Sequence, residues 1–233
     1  MTTQKKQPYV APEGDLKARV VHIVRAGRHT PRNDRFNKGA TPRLWLTYQL
    51  IDELNEDGNP RWMTYAPYGE PINSFFTELG KQAEWLKAMG FRTNTEDSLR
   101  EALGKPIFLE IEHNTNPNTG ITYSNIVDVG KVRERDLDEF PIHKDFKPVY
   151  FDVYNPVKED FLALPIWIKE YVMKCEDDGL EETRQLMEEW FKEKQSDTAG
   201  KPYEAKTAKP AKKKAAEPEV SAPDLDYEDD VPF

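Results

Sequence analysis

The sequence predicts a mainly β domain with accessory α-helices, followed by a polar extension that does not fold by itself. Three observations predict it. Short β-branched and aromatic runs recur through the first two thirds of the chain, separated by Gly, Pro and Asn. Helical spacing of apolar residues is confined to a few isolated stretches. From Ser196 to Ala222 the composition collapses to Lys, Ala, Pro, Glu, Ser and Thr, with Tyr203 the sole aromatic. Such a segment buries too little apolar surface to offset the entropy of ordering it.

The elements follow in chain order. Residues 1–14 are polar, carry Pro8, Pro12 and Gly14, and read as a loose arm. Val20 to Val24 is a β-branched strand core within Leu16–Ala26, and Gly27–Pro42 is a long loop rich in Arg, Asn, Gly and Pro. In the next strand, Leu44, Leu46, Tyr48 and Leu50 share one face, and Trp45, Thr47 and Gln49 share the other. Asp57-Gly58 signals a hairpin turn before a third strand, Arg61–Tyr65. Phe75, Phe76, Leu79, Ala83, Leu86 and Met89 recur at helical spacing, with Asn73 or Ser74 as cap and Gly90 as stop. Pro106–His113 and Ile121–Val129 form a second hairpin around Asn116–Gly120. Val149–Tyr154 is one more strand, and Phe161–Cys175 and Leu180–Lys194 read as helices. Three strands, a helix and a hairpin are the element order of an OB-fold, a five-stranded barrel that binds oligomers across one face and through its loops.

The expected organisation is therefore an arm over 1–14, an OB-type domain with C-terminal helices over 15–195, a Lys/Ala/Pro linker over 196–223 and an acidic tip over 224–233. As a flexible coil of about 30 residues, the linker spans roughly 30 Å on average.

Charge is distributed unevenly. The formal net charge is −9, yet Lys17 to Arg43 holds eight Lys or Arg against one acid, Asp34. Asp224, Asp226, Glu228, Asp229 and Asp230 reverse the sign within the last ten residues. A polyanion responds to local charge and not to the sum. Single-stranded nucleic acid needs cations for its phosphates and flat side chains for its bases. Arg19, Arg25, Arg28, Arg32, Arg35, Lys38 and Arg43 are the candidate cations. Phe36, Trp45, Trp62, Tyr65 and Tyr123 are the candidate stacking platforms. Each ring also has a core reading, Trp45 especially; Tyr48, on the leucine face, is assigned to the core.

The last five residues, Asp229-Asp230-Val231-Pro232-Phe233, suit capture by a basic-rimmed pocket that seats the Phe ring and pairs its carboxylate. This ending resembles the acidic tip of bacterial single-stranded DNA-binding proteins, which closes on Ile-Pro-Phe; Val231 replaces the Ile. The strand Arg43–Leu50 and the hairpin strand Lys105–Glu112 more nearly resemble OB-fold DNA-binding proteins of tailed bacteriophages. The resemblance implies sequence-independent protection of single-stranded DNA in replication, recombination or repair, with the tip recruiting partner enzymes and a location in the (host) cytoplasm. The charge split between the basic region and the tip also raises the expectation that the tip folds back on the basic groove when DNA is absent. The competing reading is a replication adaptor that acts through its tail alone.

Enzyme chemistry finds little purchase. Glu110, Glu112 and His113 invite a metal-nuclease reading, but His113-Asn114 follows where a Lys is needed, and alternating acids on a strand commonly form a solvated face. His22, His29, His113 and His143 lack metal-ligand spacing, and no phosphate-binding Gly-rich loop is present. The single Cys175 excludes an internal disulfide. No catalytic residue, metal or cofactor is expected, and no apolar run reaches the ~20 residues of a membrane span.

Overall fold

The computed structural model describes residues 9–31, 39–66, 70–117 and 119–199, with side chains as far as residue 193. Seven strands form one sheet: β1 (Gly14–His29), β2 (Thr41–Leu54), β3 (Pro60–Tyr65), β4 (Ile72–Asn73), β5 (Pro106–Thr115), β6 (Thr122–Lys131) and β7 (Val149–Asp152). The main path runs β3-β2-β1-β5-β6 with antiparallel neighbours. Off this path, β4 pairs with the start of β2, and β7 pairs parallel with the second half of β1.

The long strand β1 organises the molecule because two bulges interrupt its alternation. The register with β2 shifts between Val20 and His22 and again between Arg25 and Gly27. The extra residue Val21 lets Val20 and Ile23 face the same side, which strict alternation forbids. Val20 and Ile23 join Leu44, Leu46, Tyr48 and Leu50 in a first core. Val24 and Ala26 turn to the opposite side and join Trp45 in a second. At the second bulge Gly27 has φ 80°. A Cβ there would meet the Asp177 carboxylate at 2.7 Å and Cys175 Cβ at 2.9 Å, so glycine is required.

Helices cover both faces. Over the first core lie α1 (Lys81–Ala88) and α2 (Glu96–Ala102), burying Trp85, Leu86, Leu99 and Ala102. The Trp85 indole N–H donates to the Tyr48 hydroxyl at 2.7 Å, satisfying both polar groups inside the core. Over the second core lie α3 (Lys158–Ala163), α4 (Ile166–Val172) and α5 (Glu181–Ala199), contributing Phe161, Ile168, Val172 and Met187.

Four expectations need correction. A closed five-stranded barrel is not formed: among the described residues no ladder joins β3 to β6, and the sheet is open. β3 is only six residues long, and a hollow lined by Thr64, Tyr65, Ser124 and Asn125 separates it from β6. The second half of the supposed loose arm is held across that seam. Tyr9 donates to Glu53 at 2.5 Å beneath the Arg61 guanidinium, and the Ala11 carbonyl accepts from Ser124 at 3.1 Å and lies 2.7 Å from His113 Nε2. Residues 74–80 are not helical: Asn94 donates to the Phe75 and Thr77 carbonyls, and Gly80, with φ 105°, sets the start of α1. The expected helix Phe161–Cys175 is two, because Leu164 is extended (φ −63°, ψ 151°) before Pro165. No helix among the described residues is long and apolar enough to cross a membrane.

Candidate nucleic-acid interface

Among the described residues, three of the expected cations, Arg19, Arg25 and Arg43, are held by internal partners. Arg19 donates to the Gly104 carbonyl at 2.9 Å and to the Phe140 carbonyl, pinning the segments on either side of the β5–β6 hairpin; burial lowers its pKa. Arg25 pairs with Asp152 at 2.5 Å and Glu96 at 3.1 Å and lies over the rings of Phe76 and Tyr154. Burial raises the Asp152 carboxyl, and Arg25 opposes that rise. Arg43 is buried and donates to the Pro71 carbonyl and the Asn73 side chain, both at 3.2 Å. Arg28 is exposed, with its guanidinium on the Ala40 carbonyl at 2.6 Å. Arg32, Arg35, Phe36 and Lys38 lie outside the described residues, as do Asp229, Asp230, Val231, Pro232 and Phe233.

The aromatic candidates separate into two groups. Trp45 belongs to the second core and packs edge-on against Trp167 (5.1 Å) and Tyr171 (5.2 Å). Tyr65 is half-buried against the first core. Trp62 and Tyr123 stay 46% and 45% exposed, and they line the same hollow of about 210 Å³ together with Tyr9 and Ser124. Trp167, not anticipated from the sequence, is 45% exposed. Its signal was Ile166-Trp167-Ile168: three consecutive apolar residues cannot all lie on the buried face of a helix.

A continuous track joins these rings. Trp62 and Trp167 line a hollow of about 330 Å³ with Thr47 and Thr64. Trp62 and Thr64 also line the Tyr9–Tyr123 hollow beside it. Thr64 and Ser124 lead on to a larger hollow, about 620 Å³, which adds Lys81, His113, Asn114 and Asn125. The track thus crosses β3 from the start of α4 to the face of β6. Its polar lining is mainly hydroxyls and amides, with Lys81 and Glu112 the charged residues.

Beneath the track His22 is buried against Trp62, the rings edge-to-face at 4.9 Å. Burial pushes its pKa down to about 4, so the imidazole is neutral at pH 7. At one end of the track, the base of the basic loop is tied to α4. His29 stacks on Tyr171 at 4.0 Å, Tyr171 meets Trp45, and Trp45 meets Trp167. Thr30 donates twice to Glu176, fixing the loop's exit. The loop therefore leaves the sheet at the Trp167 end.

Glu110 and Glu112 point outward, and His113 is engaged by Ala11 and Glu13. Among the described residues no three His, Cys, Asp or Glu side chains cluster so as to hold a metal ion. Cys175 is buried in the second core, and burial raises its thiol. Compared with known proteins, the chain matches no family model and no curated relative.

Proposed function

We propose that this chain binds single-stranded DNA with little sequence preference and serves replication, recombination or repair, its acidic tip contacting partner enzymes. The observation that carries this reading is the track across β3, where half-exposed Trp62, Trp167 and Tyr123 alternate with hydroxyl and amide side chains. Exposed rings beside neutral hydrogen-bonding groups suit unpaired bases of any identity. The strand path β3-β2-β1-β5-β6 follows the strand order of an OB-fold, which supports the same reading. Arg32, Arg35 and Lys38, which follow His29 in the sequence, supply cations for phosphates in this reading, and the tip's likeness to that of bacterial single-stranded DNA-binding proteins supports partner recruitment. No catalytic step is assigned.

Titration of intrinsic Trp fluorescence with oligo(dT) tests the reading. Saturable quenching, weaker with duplex of the same length, supports it. A log–log salt slope of about −0.7 per phosphate neutralised then counts the contacts. A second reading, an adaptor acting through the tip alone, is favoured by one observation: Arg19, Arg25 and Arg43 are all held by internal partners. Unchanged fluorescence together with unchanged anisotropy of a labelled oligonucleotide would select the adaptor.

A further inference from the structure

We propose that Trp62 and Trp167 are the two walls of a slot that receives one unpaired nucleobase, so that helix α4 supplies half of a binding site begun by β3. The inference rests on the single-stranded DNA reading and specifies where and how a base is held.

Both indoles border one hollow of about 330 Å³. That volume is at the lower end of the ~300–1,000 Å³ range of small-molecule sites, suited to one nucleoside and not to a stretch of strand. Both rings are close to half exposed although buried tryptophans fill the cores on either side. Each is nevertheless fixed in place, Trp62 edge-on to buried His22 and Trp167 edge-on to buried Trp45. A ring that is exposed yet held loses little entropy when a base stacks on it. Between the walls lie Thr47 and Thr64, paired across β2 and β3 with their hydroxyls 3.5 Å apart. A hydroxyl donates or accepts as required, so this floor meets the edge of any base. A base that enters edge-first must be unpaired, because pairing occupies that edge. Duplex is excluded on the same ground.

The test uses the full chain and a fluorescein-labelled oligo(dT) followed by anisotropy. Trp167→Leu keeps apolar packing on Trp45 but removes the flat face; Trp167→Phe keeps a flat face. W167L is expected to weaken oligo(dT) binding about 10-fold or more, as W62L does, while W167F stays within about threefold of the original. An oligonucleotide of abasic units is expected to bind W167L and the original chain equally. In parallel, an oligo(dT) carrying 5-iodouracil is irradiated and the cross-linked peptide sequenced; attachment at Trp62 or Trp167 is expected. This measurement needs no variant and decides the matter if W167L fails to fold. Tight oligo(dT) binding with W167L unaffected, or with cross-links confined to other residues, overturns the slot and leaves the single-stranded DNA reading standing. Absence of oligo(dT) binding by the original chain overturns both.

Discussion

One face of β1 and β2 has two ends, and they are built differently. At one end Val24, Ala26 and Trp45 are sealed beneath α3, α4 and α5. At the other, a few residues along the same strands, His22, Thr47 and Gln49 lie under Trp62, which stays half exposed. The strands are continuous, so the contrast comes from the side chains alone. Apolar residues at the first end gain from excluding water and recruit helices. Hydroxyl, amide and imidazole groups at the second gain little from apolar cover, and the covering stops at Trp167. The exposed rings of this face stand at the boundary between the two.

The contrast is broken most severely at the sealed end. Phe161→Ala removes a fully buried ring packed against Phe151 and Trp190, and a loss of about 3–5 kcal/mol is expected in urea unfolding. Acid weakens the open end next. The folded-state pKa of His22 is about 4, below the ~6.5 of an unfolded chain, so the unfolded state takes up the proton first. Its contribution is intact above about pH 6.5 and is lost towards pH 4, up to about 3 kcal/mol. His29, lowered by burial too, acts in the same direction. Urea unfolding of His22→Leu at pH 7 and pH 4.5 should show a smaller pH difference than the original chain; an equal difference would remove His22 from the account. Trp62→Ala sharpens the comparison, because function and stability separate there. Its oligo(dT) affinity should fall by about 1–3 kcal/mol, with unfolding free energy changed by no more than about 1 kcal/mol. The smallest effect belongs to the seam: Tyr9→Ala removes an exposed hydrogen bond and a ring beneath Arg61, costing about 1 kcal/mol. Faster amide exchange in Arg61–Thr64 would reveal it.

Much of this was legible from the sequence where structure is local. The alternation of β2 assigns Leu44, Leu46, Tyr48 and Leu50 to one core and Trp45, Thr47 and Gln49 to the other side, as observed. Both hairpins follow from their turn residues. The bulges of β1 were not legible, because Val20 to Val24 reads equally well in either register and only the partner strand selects one. The partners of the arginines were not legible for a related reason. Arg25 is neutralised by Glu96 and Asp152, 71 and 127 residues away, and no local pattern announces such partners. Pro165 was visible, yet the break it makes in the helix, and with it the placement of Trp167, depended on Leu164 adopting an extended backbone.

The strap formed by Tyr9–Glu13 has a consequence for how this molecule tolerates truncation. It stands where a closed barrel would have backbone pairing: among the described residues no ladder joins β3 to β6, and a few side-chain contacts of the strap lie across the gap. Proteolysis within that segment would uncover two adjacent strand margins, each a template for another copy to add to. Self-association after trimming is then the hazard, even with both hydrophobic interiors undisturbed.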